Sequence, residues 1–128
     1  MRNIVPAFAL LLLLGITSCI NKEPYYIDKE NKAIVSRNEP FHRVVIDGNN
    51  KEVTFLNYGD QKGNYTIYFN RPNPGYMVAE GFGLNKNYVL NLALGTKYSV
   101  IIYGKDNQAV KVINFKTDYR GSIVTGDD

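Results

Sequence analysis

Few side chains in this chain could carry out nucleophilic or metal chemistry. It contains a single histidine, His42, and a single cysteine, Cys19. An acyl-transfer enzyme needs a nucleophile, a base and an oxyanion site in one place, and a zinc site needs several histidine or cysteine ligands. The sequence offers neither set, so we predict a protein that is not an enzyme and holds no cofactor or metal.

Two short clusters of side-chain oxygens offer ligands of the kind that calcium prefers. They are Asp47-Gly48-Asn49-Asn50 and Asp106-Asn107. Neither has the alternating spacing of a calcium-binding loop, whereas Asp, Asn and Gly are the residues that favour tight turns. We therefore interpret both clusters as turns between strands, with Gly48 available for a positive φ angle.

The first eighteen residues have the organisation of a secretory signal. Arg2 supplies a positive charge, residues 4–14 form an apolar run, and Gly15 to Ser18 are mostly small. The apolar run is shorter than the about 20 residues that a membrane-spanning helix needs. We predict a signal-peptide helix over residues 1–18 that is removed from the mature protein.

The residues around the only cysteine resemble a bacterial lipobox. Ile16-Thr17-Ser18 precede Cys19, a variant similar to those of the Bacteroidetes. The resemblance implies cleavage before Cys19 and attachment of diacylglycerol to its sulfur, and Ile20, which is not Asp, implies sorting to the outer membrane. The alternative is a plain secretory peptide with a chance cysteine, which would leave a free reactive thiol. We predict a protein anchored to the cell outer membrane by palmitate-type lipid, facing either the periplasm or the surface.

The elements that must position any binding residues are short, alternating segments separated by turn residues. A chain of 128 residues fits one domain, and outside the signal no segment has the apolar period of a helix. The pattern predicts an all-β fold, an antiparallel sandwich of about seven strands. The predicted strands are 41–46, 52–56, 65–69, 76–80, 88–92, 98–103 and 109–116, and the apolar triplet at residues 33–35 is a candidate for an additional edge strand. The predicted organisation is a signal peptide (1–18), a lipidated cysteine and polar tether (19–39), the sandwich (40–117) and a flexible tail (118–128).

One stretch resembles the C-terminal half of a fibronectin type III module, an immunoglobulin-like sandwich. Residues 88–92 match its E strand, residues 94–100 its Leu-Pro-Gly-Thr-x-Tyr-x-Val corner, and residues 112–117 its last strand. The resemblance implies that Tyr98 packs inward and hydrogen-bonds upstream backbone, in a structural corner made by Leu94, Gly95, Thr96 and Tyr98. The family's proline and its core tryptophan are missing here, and a transthyretin-like or other bacterial immunoglobulin-like sandwich is an open alternative.

Binding residues are expected on the loops of such a sandwich. A proline-stiffened loop carries Arg71, Asn73 and Tyr76, and a hairpin tip carries Lys105, Asp106 and Asn107. Three tyrosine rings are also expected at the surface because their strand neighbours point inward. They are Tyr58, Tyr68 and Tyr103.

The charge pattern bears on the class of partner. The net charge is only +3, and the basic residues are scattered rather than clustered, so we predict no nucleic-acid partner. The predicted function is a non-catalytic binding or accessory module whose partner is another envelope protein or an extracellular glycan. The alternative is a structural subunit of a secretion or conjugation assembly, docked through an unpaired edge strand, and an envelope-polymer hydrolase ranks last.

Overall fold

The computed structural model describes residues 23–57, 65–81 and 83–126. The described residues contain no helix and form two antiparallel sheets, one of three strands and one of seven. The all-β prediction is thereby confirmed. The predicted signal peptide over residues 1–18, the lipidation site Cys19 and the ring of Tyr58 lie outside the described residues.

Ten strands are present in this part of the chain. Their bounds are β1 Tyr25–Asp28, β2 Ala33–Ser36, β3 Arg43–Gly48, β4 Lys51–Asn57, β5 Thr66–Tyr68, β6 Tyr76–Glu80, β7 Gly83–Asn85, β8 Lys97–Tyr103, β9 Ala109–Thr117 and β10 Ile123–Thr125. The smaller sheet has the order β1-β2-β5, and the larger has the order β10-β9-β8-β3-β4-β6-β7.

The core lies between the two sheets and takes alternate residues of the longer strands. In β8, Tyr98, Val100 and Ile102 are buried while the residues between them are half-exposed, the period expected of a strand with one face on a core. Aromatic rings join the two layers. Phe69, which follows β5, lies 5.3 Å from Phe115 of β9, measured between ring centroids.

The hairpin between β3 and β4 is formed by a two-residue turn. Asn49 and Asn50 have φ angles of 54° and 59°, which is the type I′ geometry that suits the twist of paired strands. Gly48 is needed for a different reason from the predicted one, since its φ is not positive. It lies opposite Tyr98, and a Cβ atom there would come within 2.3 Å of that ring.

The N-terminal boundary of the sandwich lies earlier than the predicted tether allows. β1 and β2 fall within residues 19–39 and pair with each other and with β5. Ile34 is fully buried, and Tyr25 stacks on Phe41 at 5.9 Å. Polar residues 29–32 form the turn between the two strands, where Asn31 is hydrogen-bonded to Asp28.

Two further differences concern the C-terminal half. Residues 118–128 were expected to fray, yet β10 lies there, pairs with β9 and buries Ile123. Residues 88–92 were expected to form a strand, but they join no ladder. They are held instead by Asn70, whose N–H donates to the Leu90 carbonyl at 2.8 Å and whose Oδ1 accepts from the Leu92 N–H at 2.9 Å.

Candidate binding surfaces

The loop after β5 does not present the three residues that the sequence prediction placed on it. Asn73 is only 3% exposed, because its side chain is bonded to both backbone groups of Tyr68, at 2.6 and 2.9 Å. Tyr76 is 1% exposed and packs edge-on against Phe55, and burial raises the pKa of its hydroxyl strongly. Asn73 and Tyr76 therefore stabilise the fold, and the prediction of a binding role for them is wrong. Arg71 is exposed.

The tip of the β8–β9 hairpin exposes Lys105, Asp106 and Asn107. The Asn107 N–H donates to the Gly104 carbonyl at 2.9 Å, with Asn107 at a φ of 66°. The Asp106 carboxylate accepts from the Gln108 N–H at 3.3 Å. Asp106 and Asn107 thus form the turn itself, and their geometry shows no arrangement directed at a ligand.

The predicted corner links β9 to the segment before β8. Tyr98 is 4% exposed, and its hydroxyl accepts a hydrogen bond from the Ala93 N–H at 2.8 Å. Gly95 adopts a φ of 57° and donates to the Asp118 carbonyl at 3.1 Å, and the Thr96 hydroxyl donates to the Leu94 carbonyl at 2.8 Å.

Thr117 is the member of this corner that the sequence prediction missed. Its hydroxyl donates to the Ala93 carbonyl and accepts from the Thr96 N–H. Leu94 stays 59% exposed. Because the polar groups of the corner are bonded to one another, the corner is structural.

The outer face of the seven-stranded sheet carries a surface that sequence reasoning did not identify. One residue from each of six adjacent strands lies in register across it. We call this set the cross-sheet row: Val112, Ile101, Val45, Thr54, Ala79 and Leu84. Five of the six are apolar. The two end members, Val112 and Leu84, are 52% and 68% exposed, whereas Val45 near the middle is only 8% exposed. Within each strand the side chains alternate between the two faces of the sheet, but only the register between strands places these six side chains in one row.

The next row of paired residues on the same face contains one cation, Arg43. Arg43 lies opposite Leu56 and Tyr103, and its guanidinium carbon is 3.9 Å from the centre of the Tyr103 ring. The Arg43 Nε is buried without a hydrogen-bond partner among the described residues. Tyr103 is half-buried beneath this guanidinium, so its ring is less available than predicted.

The outer face of the three-stranded sheet is different in chemistry. Tyr26 of β1 and Tyr68 of β5 lie on it, each with a guanidinium over its ring. The Arg37 guanidinium carbon is 4.2 Å from the centre of the Tyr26 ring, and that of Arg71 is 4.5 Å from the centre of the Tyr68 ring. Both arginines are exposed.

An open cleft of about 360 Å³ lies beside β8, β9 and β10. Its polar lining includes Lys97, Lys116 and a hydrogen-bonded pair in which the Ser99 hydroxyl donates to Asn114 at 2.7 Å. No histidine, cysteine or carboxylate is among the described residues that line it.

Titratable groups are also perturbed where residues 88–92 approach β6. Burial, together with a hydrogen bond to Glu80, raises the pKa of Tyr88 to about 12. The same hydrogen bond, and Lys51 at 3.5 Å, lower the pKa of Glu80. This contact ties the loop to the sheet and has the geometry of a structural support.

Comparison with protein-family models, with curated proteins and with solved structures finds no match. Among residues 23–57, 65–81 and 83–126, no three metal-ligating side chains come together. In the same part of the chain, no helix is long and apolar enough to cross a membrane. The candidate binding surfaces are therefore identified from the geometry of the described residues.

Proposed function

We propose that the protein is an outer-membrane lipoprotein whose β-sandwich serves as a non-catalytic module for binding another envelope protein. The observation that carries the proposal is the cross-sheet row. A run of apolar side chains across an outer sheet face, with exposed members such as Val112 and Leu84 at its two ends, is the kind of surface that marks a protein–protein contact.

The composition of the row favours a protein partner over a glycan. Its exposed members, Val112 and Leu84, are aliphatic. Removing aliphatic side chains from water lowers the free energy, but such side chains cannot form hydrogen bonds with sugar hydroxyls. Arg43 on Tyr103 stands beside the row, and Arg and Tyr are enriched where interfaces gain most of their binding energy.

The anchor rests on the resemblance of residues 16–19 to a lipobox. With lipid on Cys19, the first residue of β1, Tyr25, follows after six residues, which reach at most about 20 Å. The domain then lies close to the membrane, where its partners are membrane proteins or their periplasmic or surface domains.

The sheet order supports an immunoglobulin-like module of the fibronectin type III kind. The order β1-β2-β5 against β9-β8-β3-β4 is compatible with the two sheets of that family, and the Tyr98 hydroxyl bonds to upstream backbone as its tyrosine does. β6, β7 and β10 extend the larger sheet beyond the seven-strand pattern.

The alternative function, a structural subunit of an envelope assembly, is favoured by one edge. β10 covers only Phe115–Thr117 of the nine-residue β9. On that side, no described strand pairs with residues 109–114. An exposed edge of this kind can accept a strand from another chain. A hydrolase ranks last, because the chain has a single histidine, His42, which is exposed and does not line the cleft beside β8, β9 and β10.

Photo-cross-linking from the row tests the proposed function. A cross-linking residue at Val112 or at Leu84 is expected to capture the same envelope protein, and Ala79→Asp, in the same row but on another strand, is expected to abolish both products. The matched control position is Glu30, an exposed residue of the β1–β2 turn. Identical products from Glu30, or products that survive Ala79→Asp, would show that the row is not the docking surface.

The same experiment separates the two functions. A single partner recovered in a one-to-one product supports a binding module. Recovery of one large complex in fixed stoichiometry, with products from residues 109–114 but not from Leu84, would instead identify an assembly subunit.

A further inference from the structure

The outer face of the three-stranded sheet presents two tyrosines in a fixed relation. Tyr26 lies opposite Val35 and Tyr68 lies opposite Ala33, and both point away from the core because the intervening Ile34 is fully buried on the other side. Two steps between strands and two residues along the strand separate them, a Cα distance of about 12 Å.

Each tyrosine holds an arginine in place. The guanidinium carbons of Arg37 and Arg71 lie 4.2 and 4.5 Å from the ring centres, and the Arg37 Nε also donates to the Glu23 carbonyl at 2.8 Å. Stacking and this hydrogen bond restrict the side chains before any ligand binds. The conformational entropy that the side chains lose on binding is therefore smaller.

The terminal NH₂ groups of both arginines are left without an anionic partner in the described part of the chain. Its ion pairs join Lys51 to Glu80 and Lys111 to Glu23, and neither involves Arg37 or Arg71. A guanidinium presents parallel N–H groups that match the two oxygens of a carboxylate. The face thus offers two forks for carboxylates, each over a tyrosine, and the Cα atoms of the two tyrosines lie about 12 Å apart.

The surface between the two forks is shallow and of mixed polarity. Val35 and Thr66 lie on it, opposite each other, and both are half-exposed. Such a surface can contact the flat face of a sugar ring while the Thr66 hydroxyl exchanges hydrogen bonds with it.

The spacing favours a stiff polyanion. Carboxylates fixed to the rings of a polysaccharide keep their separation without much loss of entropy on binding, whereas those of an acidic peptide sit on mobile side chains. A nucleic acid is disfavoured because the face offers two separate arginines rather than the basic patch or stripe that follows a nucleic-acid backbone.

We propose that the paired-arginine face, consisting of Arg37 on Tyr26 and Arg71 on Tyr68 with Val35 and Thr66 between them, binds an acidic polysaccharide through carboxylates of its uronic acid units. This site lies on the opposite sheet from the cross-sheet row and does not depend on the proposed protein-binding function.

The test measures binding of the full chain in detergent to linear oligogalacturonate and oligomannuronate by calorimetry. We expect binding that weakens as salt is added, because the contacts are ionic and exposed. Arg37→Gln and Arg71→Gln should each weaken binding about tenfold, and the double variant about a hundredfold, as expected for lost hydrogen bonds to a charged group at separated sites.

Two controls isolate the chemistry. Arg120→Gln removes an exposed arginine that lies over no tyrosine ring in the described residues, and it should leave binding within about twofold of wild type. Arg37→Lys and Arg71→Lys keep the charge but lose the fork, and they should bind nearly as weakly as the Gln variants. Unfolding midpoints of all variants are measured alongside, so that loss of fold is not read as loss of binding.

Several results would overturn the proposal. They are no binding to either uronate oligomer, equal binding of the methyl-esterified neutral chain, or unchanged binding in the Arg37→Gln, Arg71→Gln double variant. Tighter binding to polyglutamate or to vesicles rich in phosphatidylglycerol would show that the face recognises an acidic protein or a lipid surface instead. None of these outcomes bears on cross-linking from the cross-sheet row.

Discussion

The two outer faces of the sandwich both carry a guanidinium stacked on tyrosine, but its surroundings differ. On the seven-stranded sheet, Arg43 lies flat beside Leu56 with its Nε buried, next to the cross-sheet row. On the three-stranded sheet, Arg37 and Arg71 are exposed. The first arrangement makes the guanidinium part of an apolar surface, and the second leaves it exposed to solvent, as the proposed binding of anions requires. The same type of Arg–Tyr contact therefore occurs on two surfaces of different chemistry.

The largest effect is expected where the small sheet meets the core. Ile34→Ala in β2 should lower the free energy of unfolding by about 2–5 kcal/mol, because a fully buried isoleucine would leave a cavity. Urea denaturation measures it. The matched variant Val35→Ala, on the outer face of the same strand, should cost less than about 1 kcal/mol. Equal, small losses would mean that β2 is the polar tether first predicted, and that the paired-arginine face has no fixed support.

The next effect tests the inner face of the large sheet. Gly48→Ala should destabilise the protein by about 1–3 kcal/mol, because the new methyl would meet the Tyr98 ring at 2.3 Å and the Lys97 carbonyl at 2.8 Å. Gly83→Ala is the control, since its methyl would find only an ordinary contact at 3.6 Å. Thermal unfolding of both variants decides the matter, and a stability of Gly48→Ala equal to that of the control would contradict the described packing.

A smaller effect belongs to the corner that closes the large sheet. Tyr98→Phe removes the hydroxyl that accepts from the Ala93 N–H, so we expect a loss of about 1 kcal/mol in unfolding free energy. Tyr119→Phe, at a ring that is 88% exposed, should change nothing measurable. If both substitutions are neutral, the corner does not depend on this hydrogen bond.

The smallest effect is a pH dependence at the edge strand β10. The Asp118 carboxylate accepts backbone N–H bonds from Ser122 and Arg120, which lower its pKa. Since the folded state binds this proton less tightly than the unfolded state, the stabilisation is present above about pH 4 and disappears as the pH falls through the lowered pKa.

Amide chemical shifts of Ser122 and Arg120, followed from pH 6 to pH 2, report this change. They should move together below about pH 4, and Asp118→Asn should remove the transition. A titration that persists in Asp118→Asn would assign it to another group.

The strands with strong alternation of apolar and polar residues were predictable from the sequence, but the register between paired strands was not. The segments at 52–56, 76–80, 98–103 and 109–116 lie within or coincide with β4, β6, β8 and β9. β1, β7 and β10 were missed, and residues 33–35 were predicted only as a candidate edge strand although β2 lies in the middle of its sheet. Strands of three or four residues carry too little pattern, and their pairing comes from the neighbours on which they pack. Residues 88–92 have strand-like composition but no partner strand beside them.

The candidate sites follow the same division. Arg71 could be chosen from its loop, whereas Asn73 and Tyr76 look identical in type to binding residues and are buried by contacts with Tyr68 and Phe55. Neither Tyr26 nor Arg37 could be selected, because they lie in a segment whose composition is that of a solvated tether. Their relation to Tyr68 exists only once β2 lies between β1 and β5.

The sequence by itself determined the all-β class, the turns at Asn49–Asn50 and at residues 104–108, and the expectation of a lipid-modified cysteine at position 19. These depend on local period and on residues close together in the chain. Only the tertiary structure decided which side chains share a surface. Strand alternation gives each residue a face, but the order and register of strands are set by non-local packing of the core, and these bring Val112 into line with Leu84 and place Tyr26 on the same face as Tyr68.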